Sequence, residues 1–154
     1  MLRTPVTIRE ATVTRISAVR DQVEQADGLP AVLDAACEAF EQMLSVIRGH
    51  EDPSDGWFTA FVMSGTCAAN GRDAVLFAPS LPPNRLHPPP AGTMMPGQGS
   101  AETIADAIAS LSGLLATGLA RAAGSAADPR DREACQRAAG YARDMQGLLT
   151  GSGP

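Results

Sequence analysis

The chain has 154 residues, which is enough for one domain with a single buried core. All 12 basic residues are arginine, which excludes chemistry that needs a lysine amine: Schiff bases, a pyridoxal phosphate anchor and the Walker A phosphate loop. The 17 acidic residues give a formal charge of −5, the wrong sign for a phosphate backbone, so we expect no nucleic acid as a partner.

Apolar residues recur at helical spacing in the first third of the chain. A first helix is predicted over roughly 7–26, and Gly28 follows its end because glycine tolerates a positive φ. A second helix begins near Pro30, whose missing amide suits a first turn, and stops at Gly49. Its stripe comprises Leu29, Val32, Leu33, Ala36, Cys37, Phe40, Met43, Leu44 and Ile47.

The segment 56–78 allows two interpretations. As a helix it places apolar and aromatic residues on one face, with Ser54 or Asp55 as the cap. As a hairpin it would turn at Asn70-Gly71, a favoured pair in two-residue turns. We favour a helix that ends at Asn70-Gly71 and is followed by a short helix over 72–78.

A proline-rich loop is predicted over 79–99. Seven of the chain's 12 prolines lie between Pro79 and Pro96, and proline removes the backbone donor that regular structure needs. Loops of this length are lids, binding loops or linkers. One hypothesis is a lid that folds Met94 and Met95 over a pocket, with Arg85 or His87 facing inward. The other is a connector, or a strap across the helices.

Two more helices follow this loop. Ser100 is the predicted cap of the fourth, which has an apolar stripe of Ile104, Ile108, Leu111, Leu115 and Leu119. The run 104–123 is long enough to cross a membrane, but a charged residue near each end, hydroxyls and two glycines favour a buried helix, so we expect no membrane partner. Asp128-Pro129 starts the fifth helix, predicted to bury Ala134, Ala138, Tyr141 or Ala142, Met145 and Leu148.

These patterns predict an all-α fold, a four- to five-helix bundle with the long proline-rich loop between helices 3 and 4. Residues 1–150 form one domain and 151–154 a frayed tail. Stripes that one small chain cannot cover predict a homodimer. Three isolated cysteines and no signal peptide favour the cytoplasm, and the composition is typical of a GC-rich bacterium.

Few residues in the sequence are candidates for a metal, cofactor or catalytic site. His50, Glu51, Asp52 and Asp55 are close in sequence, but they lack the spacing of zinc or diiron motifs, so we expect no metal. No nucleotide or other cofactor motif is present, because the glycines before Ser100 do not follow a strand.

The remaining site candidates are histidines and aromatic residues. His50 and His87 are the only histidines and are the candidates for an acid or base. Trp57, Phe58 and Phe61 could line an apolar ligand pocket, although aromatic residues at helical spacing are more often core. The sequence thus favours a non-catalytic protein that binds a partner protein or a small apolar ligand. The alternatives are a small metal-independent enzyme with a histidine beside an aromatic pocket, and a structural assembly subunit.

Overall fold

A computed structural model describes residues 8–83 and 100–151 of the chain, with side chains from residue 16 onward. The described residues form helices and no strand, which confirms the predicted all-α fold. The five helices are α1 (Ile8–Gln25), α2 (Leu29–Arg48), α3 (Phe58–Leu76), α4 (Ala101–Ser125) and α5 (Pro129–Gly151).

Four of these helices pack in a ring, and α1 packs against two of them. Around the ring, α2 contacts α3, α3 contacts α5, α5 contacts α4, and α4 contacts α2. The remaining helix, α1, packs on α2 and α4. A single cluster of buried side chains includes residues from all five helices and forms the core.

The helix directions explain why a long connection follows α3. Short segments make α2 antiparallel to α3 and α4 antiparallel to α5. Just after α3, the Ser80 backbone N–H and hydroxyl donate to Asp131 at the start of α5, over 3.0 and 2.6 Å. The end of α3 therefore lies at the opposite end of the bundle from the start of α4, a separation of about 37 Å, the length of the 25-residue α4. Residues 84–99, which include most of the predicted lid or connector, lie outside the described residues.

The segment 56–78 contains a helix, as we favoured, but the predicted break at Asn70-Gly71 is wrong. Both residues lie inside α3, and no separate helix follows. The reason is packing: a Cβ on Gly71 would come closer than 3.0 Å to three ring atoms of Phe40. This glycine lets α3 approach α2, whereas the sequence pair suggested a turn.

Other local predictions are confirmed or shifted by a residue. The Ser100 side chain caps α4 by accepting from the Thr103 N–H. Gly28 has a φ of 86° between α1 and α2. In α5 the structure buries Ala142 and half-buries Tyr141, and it buries Leu149 where Leu148 was predicted, because Leu149 lies four residues beyond the buried Met145.

Among the described residues, α4 is the one helix long and apolar enough to cross a membrane by length and composition. Half of its most apolar window is buried inside the bundle, against α1, α2 and α5. A core helix has the same properties, so this feature does not distinguish a span from a core helix.

Candidate functional site

The predicted aromatic cluster forms where α2 ends and α3 begins. Here His50 follows the last turn of α2, and its Nδ1 lies 2.9 Å from the Val46 carbonyl oxygen. The His50 ring centroid is 6.3 Å from that of Phe61, and the Trp57 centroid is 6.1 Å from Phe61. Asp55 accepts the Trp57 N–H over 2.9 Å just before α3 begins. The predicted cap at Ser54 or Asp55 is wrong, because the N-cap residue of α3 is Trp57 and no side chain among the described residues caps this helix.

The position of His50 fits a helix cap better than an acid or base. A carbonyl oxygen only accepts hydrogen bonds, so Nδ1 carries a proton and donates to one of the carbonyls that a helix end leaves without a partner. The Nε2 atom has no hydrogen-bond partner among the described residues. However, only 8% of the residue is exposed, and acid–base catalysis requires a substrate within hydrogen-bond reach.

The aromatic candidates are mostly part of the core. Phe61 is fully buried, Trp57 is nearly so, and Phe58 is half-buried at the start of α3. The clefts between α1, α2 and α4 and along α4 and α5 are lined by other residues. A ligand-binding role for these three aromatic residues stays a prediction.

The acidic residues around His50 make separate contacts. Asp52 accepts the N–H and the hydroxyl of Ser54, which lowers the pKa of its carboxyl group. Glu51 instead lies beside α3, with Oε1 3.5 Å from where a Cβ on Gly65 would be. Within residues 8–83 and 100–151, no three His, Cys, Asp or Glu side chains gather in a way that could hold a metal ion. The other predicted site residues, Arg85, His87, Met94 and Met95, lie outside the described residues.

A cleft of about 500 Å³ opens at the other end of α2, between the end of α1, the start of α2 and the second half of α4. Its charged and hydroxyl side chains are all exposed at the rim, and its apolar side chains are buried or half-buried below them. The apolar lining comprises Val23, Ala26, Leu29, Val32, Ala35, Leu114, Leu115, Leu119 and Ala122. The predicted core residues Leu29 and Val32 are therefore only half-buried because they face this opening.

Gly118 in α4 leaves part of this space open. A Cβ built on Gly118 would meet no atom within 4 Å. The glycine one and a half turns earlier, Gly113, behaves differently, because a Cβ there would collide with the side-chain amide of Gln146. A glycine inside a helix costs about 1 kcal/mol relative to alanine. At Gly113 the side-chain amide of Gln146 occupies the space that a Cβ would need, whereas at Gly118 none of the described residues does.

The rim of the cleft carries charges of both signs. Oε1 of Glu24 lies 3.4 Å from Nε of Arg20, one turn earlier in α1, so the charge of Glu24 is already partly balanced. Asp27 and Arg121 are exposed on opposite sides of the opening, on the α1–α2 connection and on α4. A rim of this kind favours neither a strong anion nor a strong cation. Two further clefts, each of about 400 Å³, lie on the far side of the α1–α2 pair and in the groove between α4 and α5.

The cysteines show no sign of a reactive thiol. None of the three forms a disulfide. Burial, and then the Asp131 carboxylate, raise the pKa of Cys135 to about 11. Burial and the charge of Asp144 raise the pKa of the half-buried Cys67. A nucleophilic cysteine needs a lowered pKa, so both thiols are typical of packing residues.

Comparison of this chain with models of protein families, with curated proteins and with solved structures finds no match. The cleft was not predicted from the sequence. Its one local signal there is Gly118, a glycine inside a predicted helix.

Proposed function

We propose that this chain is a non-catalytic binding protein that holds a small apolar molecule in the cleft between α1, α2 and α4. The observation that carries the proposal is the open space above Gly118, which no side chain of the described residues fills. A volume of about 500 Å³ lies within the range of small-molecule sites, roughly 300 to 1,000 Å³. The free cysteines support a reducing compartment such as the cytoplasm.

The lining indicates the class of ligand. An apolar chain or ring would cover Val32, Leu115 and Leu119, and each buried methylene would contribute about 0.8 kcal/mol. The mixed charges at the rim would tolerate one uncharged polar end, such as a hydroxyl that reaches Thr117 or solvent. We therefore expect a neutral, mainly aliphatic molecule with a polar head.

Titration with hexanol, octanol and decanol tests this proposal. Backbone amide shifts recorded by two-dimensional NMR should change at the cleft, with a Kd on the order of 0.1 mM for the longest alcohol. The shifts should concentrate at Val32, Gly118 and Ala122. The affinity should rise with chain length because each methylene adds buried apolar surface.

Gly118→Leu is the informative variant and Gly147→Leu its matched control. Both replace a helical glycine whose built Cβ meets nothing within 4 Å, but Gly147 lies on an exposed part of α5 away from the cleft. We expect Gly118→Leu to weaken decanol binding at least tenfold and Gly147→Leu to leave it unchanged. Wild-type protein that shows no shifts with any alcohol, or equal affinity in the two variants, would refute the proposal.

The enzyme alternative with His50 needs a path from solvent to Nε2. The buried ring and its contact with Phe61 count against such a path within the described residues.

A further inference from the structure

The outer face of α3 carries an unusual set of exposed side chains. Both neighbours of α3, namely α2 and α5, pack on its inner side. Its outer side exposes two pairs of large apolar residues, Val62 and Met63 near the start, at 37% and 50%, and Leu76 and Phe77 at the end, at 50% and 81%. Between these pairs, the exposed residues are Thr66, Asn70 and Asp73.

These residues form one continuous stripe. At about 100° per residue, all seven lie within about 140° of the helix circumference. The stripe has one formal charge, that of Asp73, and Arg72 lies 3.2 Å from it. The outer face of α5 shows the contrast, since it exposes four arginines, Arg130, Arg132, Arg137 and Arg143, together with Glu133 and Asp144. A face of weakly polar and apolar residues is typical of an interaction surface, and a charged face is typical of a solvated one.

The order of residues along the stripe is self-complementary. If a second α3 lies antiparallel across a twofold axis between Ala69 and Asn70, Val62 faces Phe77 of the second copy and Met63 faces Leu76 of the second copy. The same arrangement places Thr66 opposite Asp73, so that no two charges of like sign meet. Ala69 and Asn70 lie at the crossing point, where small side chains allow the axes to approach to about 8–10 Å.

We propose that this α3 face is the contact between two copies of the chain, in this antiparallel register. A twofold contact uses the same patch on both copies, so a self-complementary stripe is what it requires. The face of a single 19-residue helix is smaller than the roughly 800 Å² per partner of a stable complex, so we expect a weak, reversible dimer. This contact is separate from the cleft and does not depend on the binding function proposed above.

Sedimentation velocity from about 10 to 500 µM tests the contact. The wild-type chain should shift from monomer to dimer over this range. Met63→Arg and Leu76→Glu should each weaken the dimer at least tenfold, because each buries an unpaired charge at the interface. Ser110→Asp places a charge on the exposed side of α4 and should have no effect. Helical circular dichroism and an unchanged thermal midpoint check that each variant folds.

Two double variants test the register. In M63R/L76E the opposite charges face each other twice across the axis, so the affinity should return to within a few-fold of wild type. In M63R/L76R the facing charges are alike, and dimerisation should stay lost. A wild-type chain that remains monomeric at 500 µM overturns the proposal. So does equal behaviour of the two double variants, because their charges would then not meet.

Discussion

The two ends of α2 differ in how fully side chains fill the space beside the helix. At its end, large rings of His50, Trp57 and Phe61 fill the space where α2 meets α3. At its start, α1, α2 and the second half of α4 leave a cleft of about 500 Å³, and a Cβ on Gly118 would meet no atom there within 4 Å. The sequence favoured a pocket among the aromatic residues, yet among the described residues these side chains pack against one another and fill the space.

Individual glycines also differ in whether the space beside them is filled or open. Gly71 in α3 is a site of close approach, where an added Cβ would collide with the buried ring of Phe40. At Gly113 in α4 the nearest atoms belong to the end of the exposed, flexible Gln146 side chain, and Gly118 faces open space. Substitutions at Gly71 and at Gly118 should therefore change the free energy of unfolding in opposite directions.

The largest effect is expected at the centre of the aromatic cluster. Phe61→Ala should lower the free energy of unfolding by about 3–5 kcal/mol, because it removes a fully buried ring and leaves a cavity. Urea denaturation at low micromolar concentration measures this loss. Phe77→Ala is the control, since its ring is mostly exposed and the change should stay within about 0.5 kcal/mol. A small loss for Phe61→Ala would mean that the cluster is loosely packed and could open for a ligand.

The second effect concerns the thiol of Cys135, on the packed side of the bundle. With a pKa of about 11 against an ordinary value of 9.0, its thiolate fraction at pH 8 should be about 100-fold below that of an unfolded chain. Alkylation by iodoacetamide, followed by mass spectrometry, should therefore modify Cys135 slowly in folded protein and rapidly in urea. Fast modification of Cys135 in folded protein would show that α5 is not held tightly.

The raised pKa also predicts a pH dependence of stability. The folded state holds the Cys135 proton more tightly than the unfolded state, so below pH 9 the thiol contributes no difference between them. As the pH rises from 9 towards 11, the unfolded state loses its proton first and the free energy of unfolding should fall. Cys135→Ala should show a shallower fall over this interval than wild type, and equal slopes would contradict the assignment.

A smaller loss is expected at Gly71. Gly71→Ala gains helix propensity of about 1 kcal/mol, but its Cβ would overlap the buried ring of Phe40, and overpacking costs about 1–3 kcal/mol. We expect a net loss of up to about 2 kcal/mol by chemical denaturation. The double variant F40L/G71A should recover part of this loss, because the two positions are in contact. If Gly71→Ala stabilised the protein, α2 and α3 would not be as close as the structure describes.

The smallest effect has the opposite sign. Gly118→Ala should raise the free energy of unfolding by up to about 1 kcal/mol, because alanine favours the helix and its Cβ meets nothing. Gly147→Ala should give a similar gain, since space is open there too. A loss at Gly118 alone would indicate that this position is packed and that the cleft is closed in solution.

The sequence predicts much of the fold and little of the candidate site. Helical spacing, the Ser100 cap and the break at Gly28 are local signals, and the structure confirms them. The cleft depends on how three helices diverge, which no local pattern encodes. Gly113 and Gly118 lie in the same predicted helix and look alike in the sequence. The structure distinguishes them, because a Cβ on Gly113 would meet Gln146 and a Cβ on Gly118 would meet no atom within 4 Å. The helix break predicted at Asn70-Gly71 is wrong for the same reason, because it depends on a contact between Gly71 and Phe40, which are far apart in the sequence.

The most direct test of the ligand site is an isotope-filtered NOE experiment on wild-type protein with decanol. We expect contacts from the decanol chain to the methyl groups of Val32, Leu115 and Leu119, and none to the ring of Phe61. Contacts to Phe61 and Trp57 without any to Leu115 would contradict this expectation, and would return the binding site to the aromatic end of α2.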